Sequence, residues 1–195
     1  MKTIGKISVI TLLIIFSAGI VNAADFKVNP AASLVKWNGK KVTGEHYGTI
    51  SVKSGTLQSD AAGLTGGQVD IDMTSIVNED LKDAGINAKL VGHLKSDDFF
   101  SVEKFPLASL KLTGVKKLSG NDHELTGNLT IKGITHPITF TATVGQEGKA
   151  LVASGKMTIN RAKYEVRYGS GSFFQGLGDK MIYDDFTLDF RLVTE

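Results

Sequence analysis

Apolar and polar residues alternate with period two along most of the chain after Ala24, the mark of strands with one buried and one solvated face. Eight such runs can be counted. Val35 and Trp37 share a face of the first, and Gly48, Ile50 and Val52 a face of the second. Val69, Ile71 and Met73 carry the third; Ala108, Leu110 and Leu112 the fourth; Leu125, Gly127, Leu129 and Ile131 the fifth. Ile138, Phe140, Ala142 and Val144 form the sixth, and Leu151, Ala153, Gly155, Met157 and Ile159 the seventh. Phe186, Leu188, Phe190 and Leu192 make the last.

Turn signals at Lys53-Ser54-Gly55, Ser119-Gly120-Asn121-Asp122, Lys132-Gly133 and Gly145-Gln146-Glu147-Gly148 separate these runs, and such short connections predict antiparallel neighbours. One interval breaks the alternation. Between Asn78 and Leu94, the residues Leu81, Ala84, Ala88, Val91 and Leu94 recur at helical spacing, predicting a short helix weakened by Gly85 and Gly92. Arg161 to Tyr183, rich in glycine and aromatics, reads as a structured loop. Eight alternating strands with one helix fit a closed antiparallel barrel or a two-sheet sandwich. Strands of roughly 30 Å favour a tall barrel. Its inward positions include many glycines and alanines beside the large aliphatics, which either bend the strands for closure or leave room for one small ligand.

The first segment stands apart. Lys2 and Lys6 precede an apolar run from Ile7 to Val21 that ends in Val21-Asn22-Ala23, the pattern of a secretory signal peptide cleaved after Ala23. Residues 24–195 then form a single domain. The full chain of 195 residues carries 22 basic and 20 acidic side chains; removing residues 1–23 takes away two lysines and no acid, so the mature protein is neutral. Without a basic block it lacks the footprint of a nucleic-acid binder or of a protein drawn to anionic lipid. The chain has no cysteine, which excludes disulfides, thiolate metal sites and cysteine nucleophiles.

Other chemistry is equally sparse. His46, His93, His123 and His136 lie in four separate contexts with no metal-ligand spacing, so neither a metal nor another cofactor is expected. Asp70 and Asp72 share the solvated face of a strand. The pairs Ser33/Lys36 and Ser101/Lys104 lack the helical context in which Ser-x-x-Lys is catalytic, and no catalytic residue is assigned. Phe99-Phe100 and Phe173-Phe174 remain as unusual apolar pairs, which suit either plugs at the barrel ends or an apolar entrance.

Trp37 with His46-Tyr47-Gly48, the stretch from His93 to Phe100 followed by Phe105-Pro106, and the stretch from Gly127 to Ile138 resemble the YceI-like family of exported bacterial proteins. The resemblance spans Asp25 to Leu192. It implies a lipocalin-like, extended eight-stranded barrel with an apolar tunnel for a polyisoprenoid chain, such as a prenyl quinone or polyprenyl phosphate. It further implies a periplasmic location, frequent homodimers and no catalytic residues. On this reading the protein is a non-enzymatic carrier, store or buffer of a long-chain lipid, and it does not span a membrane once mature. The expected lining is Val35, Trp37 and Ile50; Val69, Ile71, Leu110 and Leu112; Leu129, Phe140 and Met157; Phe186 and Leu188; and the aromatic rings of Phe99 and Phe173. Two alternatives remain at this point: an eight-stranded outer-membrane barrel, and an enzyme acting on an apolar ligand inside the cavity.

Overall fold

The computed structural model describes residues 24–195; the proposed signal peptide, residues 1–23, lies outside them. The chain folds into β1 (Ala24–Lys27), β2 (Leu34–Lys41), β3 (Gly44–Asp60), β4 (Gly63–Asn78), the helix α1 (Ala84–Lys95), β5 (Leu107–Lys117), β6 (Asp122–Ile131), β7 (Ile134–Glu147), β8 (Ala150–Asn160) and β9 (Ile182–Val193). Every strand pairing is antiparallel. Neighbours run β2-β9-β8-β7-β6-β5-β4-β3, and β3 pairs back onto β2, which closes an eight-stranded barrel. The ninth strand adds no stave. β1 pairs with Thr56–Ser59 on the edge of β3 that β2 occupies higher up, so β1 and β2 form one stave broken by the 3₁₀ turn Pro30–Ala32. The Asn29 side chain caps that turn, accepting from the Ala31 and Ala32 amides.

Alternation translates directly into packing. Val35 and Trp37 face inward beside Ile50, Leu129, Phe140, Met157 and Leu192, all buried in one continuous core. Polar positions between them face out, where Lys156 of β8 meets Asp189 of the neighbouring β9, and Arg191 of β9 reaches across β8 to Glu147 at the end of β7.

Two sequence expectations need correcting. No turn forms at Lys53-Ser54-Gly55: β3 runs through it, with Lys53 absorbed as a bulge between Val52 and Ser54. Gly55 is there because a Cβ would sit 3.0 Å from a Val28 methyl and 2.9 Å from the Gln68 carbonyl. The strand reverses instead at Asp60–Gly63, where Asp60 accepts from the Ala62 amide at 2.7 Å. The helix also starts later than Asn78. Asp83 caps it by accepting from Ile86 N at 2.8 Å, and the face it turns to the barrel is Leu90 and Leu94, whereas Ala84 and Ala88 are exposed.

The two ends of the barrel differ. At one, α1 and the 161–181 segment lie over the staves; this is the helix end. The opposite end carries the β3–β4, β5–β6 and β7–β8 turns and is called here the turn end.

The candidate site is the barrel cavity

Inside the staves is a cavity of about 240 Å³. Its wall draws on every stave. Val35 and Trp37 come from β2, Ile50 from β3, Val69 and Ile71 from β4, Leu110 and Leu112 from β5. Leu129, Phe140 and Met157 follow from β6, β7 and β8, and Phe186 and Leu188 from β9. Phe99, just after α1, closes over them. Period-two alternation finds these residues because each stave must present one face to the interior.

Phe173 is the exception and is corrected here. It lies outside the wall, 38% exposed, with its ring 4.8 Å from the Arg167 guanidinium; Phe174 is 49% exposed. Their amides donate to Ser170 O in a turn and not to a neighbouring strand, so strand alternation does not direct the aromatic pair inward. Phe100, by contrast, lines the cavity and packs edge-on against Phe186, with centroids 6.3 Å apart.

Several wall residues had no signal in the pattern. Leu57 and Leu64 lie past the false turn at Ser54, and Leu90 falls outside the helical stripe that the spacing predicted. Arg161 is the most informative. It is 4% exposed, and its Nε donates to Tyr183 O, Nη1 to Val166 O and Nη2 to Ile182 O, at 3.1, 2.8 and 3.0 Å. Asp184 stands 3.5 Å away and accepts from Ser172 Oγ at 2.5 Å. Burial lowers the guanidinium's pKa, and the Asp184 charge works the other way. The guanidinium thus straps the 161–181 segment to the start of β9. From that segment, the Tyr168 ring reaches α1 and sits 4.4 Å from His93 and 5.6 Å from Phe99.

A second network anchors the β2–β3 hairpin to the helix start. His46 Nδ1 lies 2.8 Å from Asp80, whose other oxygen accepts from the Tyr47 amide and the Asn78 side chain. Asn87 reaches back to the Asn78 carbonyl. Burial works against ionisation of Asp80, but these donors outweigh it and hold the carboxyl below its ordinary value. Trp37 Nε1 donates to Val77 O at 3.0 Å, leaving the indole's apolar body on the cavity wall.

Chemically the wall is apolar along its length. Its ionisable members, Lys40, Lys41, His46, Arg161 and Tyr183, come from the β2–β3 hairpin, the exit of β8 and the start of β9, all at the helix end. Among the described residues no carboxylate lines the cavity and no three His, Asp or Glu side chains gather as metal ligands. Such a wall can hold a long apolar body and offers polar contact at one end.

Residues 26–194 match the family model described as a YceI-like domain. A UPF0312 protein of Pseudomonas fluorescens is 33% identical over 154 residues, covering 76% of this chain and 75% of that one. Protein YceI of Escherichia coli is 31% identical over 141 residues, covering 69% of each. Among solved structures, BcnA of Burkholderia cenocepacia superposes with a TM-score of 0.68 at 26% identity, over 86% of this chain and 99% of that one. A polyisoprenoid binding domain from Saccharophagus degradans gives 0.62 at 17% identity, over 87% and 97%, a likeness of fold.

Proposed function

From the premise that the chain belongs to the YceI-like family, we propose that it binds a polyisoprenoid or similar long-chain amphipathic lipid in the barrel cavity, without chemistry. The observation that carries this is the cavity itself, lined mainly by apolar side chains and carrying its ionisable groups only at the helix end. Each methylene moved from water into such a wall contributes about 0.8 kcal/mol, so a long chain binds with few polar contacts. The fold shared with the Saccharophagus degradans domain supports a chain of this class. Export supports the same reading: residues 1–23 carry the features of a signal peptide, and the neutral barrel would carry, store or buffer its lipid in the periplasm.

An outer-membrane barrel would reverse the faces, with apolar side chains toward lipid and a polar lumen. Here the apolar face is inside, and Lys36, Lys111, Lys156 and Asp189 alternate with it on the outside. A binding role also fits the engagement of Arg161 by three carbonyls and of His46 by Asp80. The test is to purify the protein natively from its own host, extract it with organic solvent and identify the extract by mass spectrometry. One isoprenoid-type lipid per chain is expected. Recovery of no lipid, with no uptake of a prenyl quinone by the stripped protein, overturns the proposal.

A further inference from the structure

The barrel is not zipped along its whole height. Pairing between β4 and β5 is confined to Gln68–Asp72 against Leu107–Lys111. Toward the turn end, Gly63–Gly67 of β4 pair with β3, and Leu112–Lys117 of β5 pair with β6, but the two stretches do not pair with each other. The gap is about five residues long, or roughly 17 Å.

Both strands bend at this height. Opposite β3, the register of β4 slips between Gly66 and Leu64, leaving Thr65 as an extra residue. Opposite β6, the register of β5 slips between Leu112 and Gly114, leaving Thr113 extra. A bulge bends its strand and strengthens the local twist, so two bulges at one level turn the strands apart. Glycines lie along the gap at 63, 66, 67 and 114, so those positions contribute no side chain of their own to it. At the head of the gap, Gly67, Gln68 and Leu112 line both the cavity and a polar groove on the outer face, so the wall there is a single layer.

Among the described residues, buried side chains close the axis at the turn end. Val144, Leu151 and His123 are buried there, and none of them lines the cavity. The cavity, at about 240 Å³, falls below the ~300–1,000 Å³ of sites that enclose drug-sized ligands, so a chain of many isoprene units outgrows it.

We propose that the β4–β5 gap is a lateral slot that takes the far end of an isoprenoid chain too long for the cavity. This rests on the lipid-binding reading above and adds to it a rule for chain length. Affinity rises with each unit until the cavity is full, then levels off instead of falling, because further units lie half-covered between Leu64 and Leu112.

The test places a photoreactive diazirine at the far end of an octaprenyl alcohol and maps its adducts on the native protein. Adducts at residues 63–68 and 111–117 are expected; adducts confined to the turn-end floor or to the helix end overturn the slot. A second measurement uses the cysteine-free background. The pair Thr65→Cys and Thr113→Cys, both at exposed positions off the cavity wall, is bridged with a short bis-maleimide. Bridging should weaken octaprenyl alcohol by about tenfold, ~1.4 kcal/mol, and leave farnesol unchanged relative to the unbridged form of the same variant. Equal affinity for octaprenyl alcohol in the two forms overturns the proposal. Farnesol separates the two claims: if the native protein binds no farnesol, the lipid reading falls and the slot with it, whereas farnesol binding with far-end adducts elsewhere removes the slot alone.

Discussion

Gly48 shows how closely single positions are specified. A Cβ there would lie 2.0 Å from the Val77 carbonyl oxygen, the same oxygen that accepts the Trp37 indole N–H, and 2.9 Å from Asn78 Cα. Gly48→Ala is therefore expected to lower unfolding free energy by about 3 kcal/mol or more, read as a shift in the urea midpoint. Gly39→Ala, with nothing within 4 Å of the added methyl, should change it by less than ~0.5 kcal/mol. Asp80 supplies a pH signature. Its folded pKa is depressed, against burial, by donors from His46, Tyr47 and Asn78, so its ionisation favours the folded state. That contribution is complete above the ordinary carboxylate value near ~3.9 and is lost as pH falls below it. The acid branch of a stability profile should be shallower for Asp80→Asn than for the parent chain, and identical slopes would remove this role. The residue scale also answers what the many glycines do. At Gly48, Gly67, Gly127 and Gly155 a Cβ would meet a carbonyl oxygen within 3.0 Å. These glycines permit close approach of strands, and of the four only Gly67 also lines the cavity.

At the scale of elements, the structure separates what local pattern encodes from what tertiary contact decides. β6 and β7 are legible because Lys132 and Gly133, with φ of +52° and +73°, form the tight turn their dipeptide suggests. β3 is only half legible, because a bulge and a close-approach glycine at Lys53-Ser54-Gly55 have the composition of a turn. The 161–181 segment is least legible, since it is held by Arg161 together with the buried Tyr164, Val166 and Ser170, and isolated buried residues in a loop have no periodicity to mark them. Replacing the arginine tests the strap. Arg161→Leu leaves three carbonyls without their donor and Asp184 without its facing charge and should cost about 3–5 kcal/mol. Limited proteolysis should then cut first between residues 165 and 181; unchanged resistance there would show that the segment is held by other means.

At the scale of the whole molecule, closure and its apolar interior follow from alternation. Phe140 and Met157 could be placed on the wall from their neighbours alone, whereas Phe173 could not be placed by that rule because it is not in a strand. Two features of the barrel had no sequence signal: the first stave is made of two strands, and β4 and β5 part toward the turn end. Both depend on register, which a run of alternating residues does not record. The chain contains a single tryptophan, Trp37, and it forms part of the cavity wall. Titrating the lipid-free protein with a prenyl quinone while following Trp37 emission therefore reads occupancy of the cavity itself. Saturable quenching at one quinone per chain, displaced by a non-quenching polyprenol, is the expected result; linear quenching without saturation, equal to that of free tryptophan, would contradict a lipid site inside the barrel.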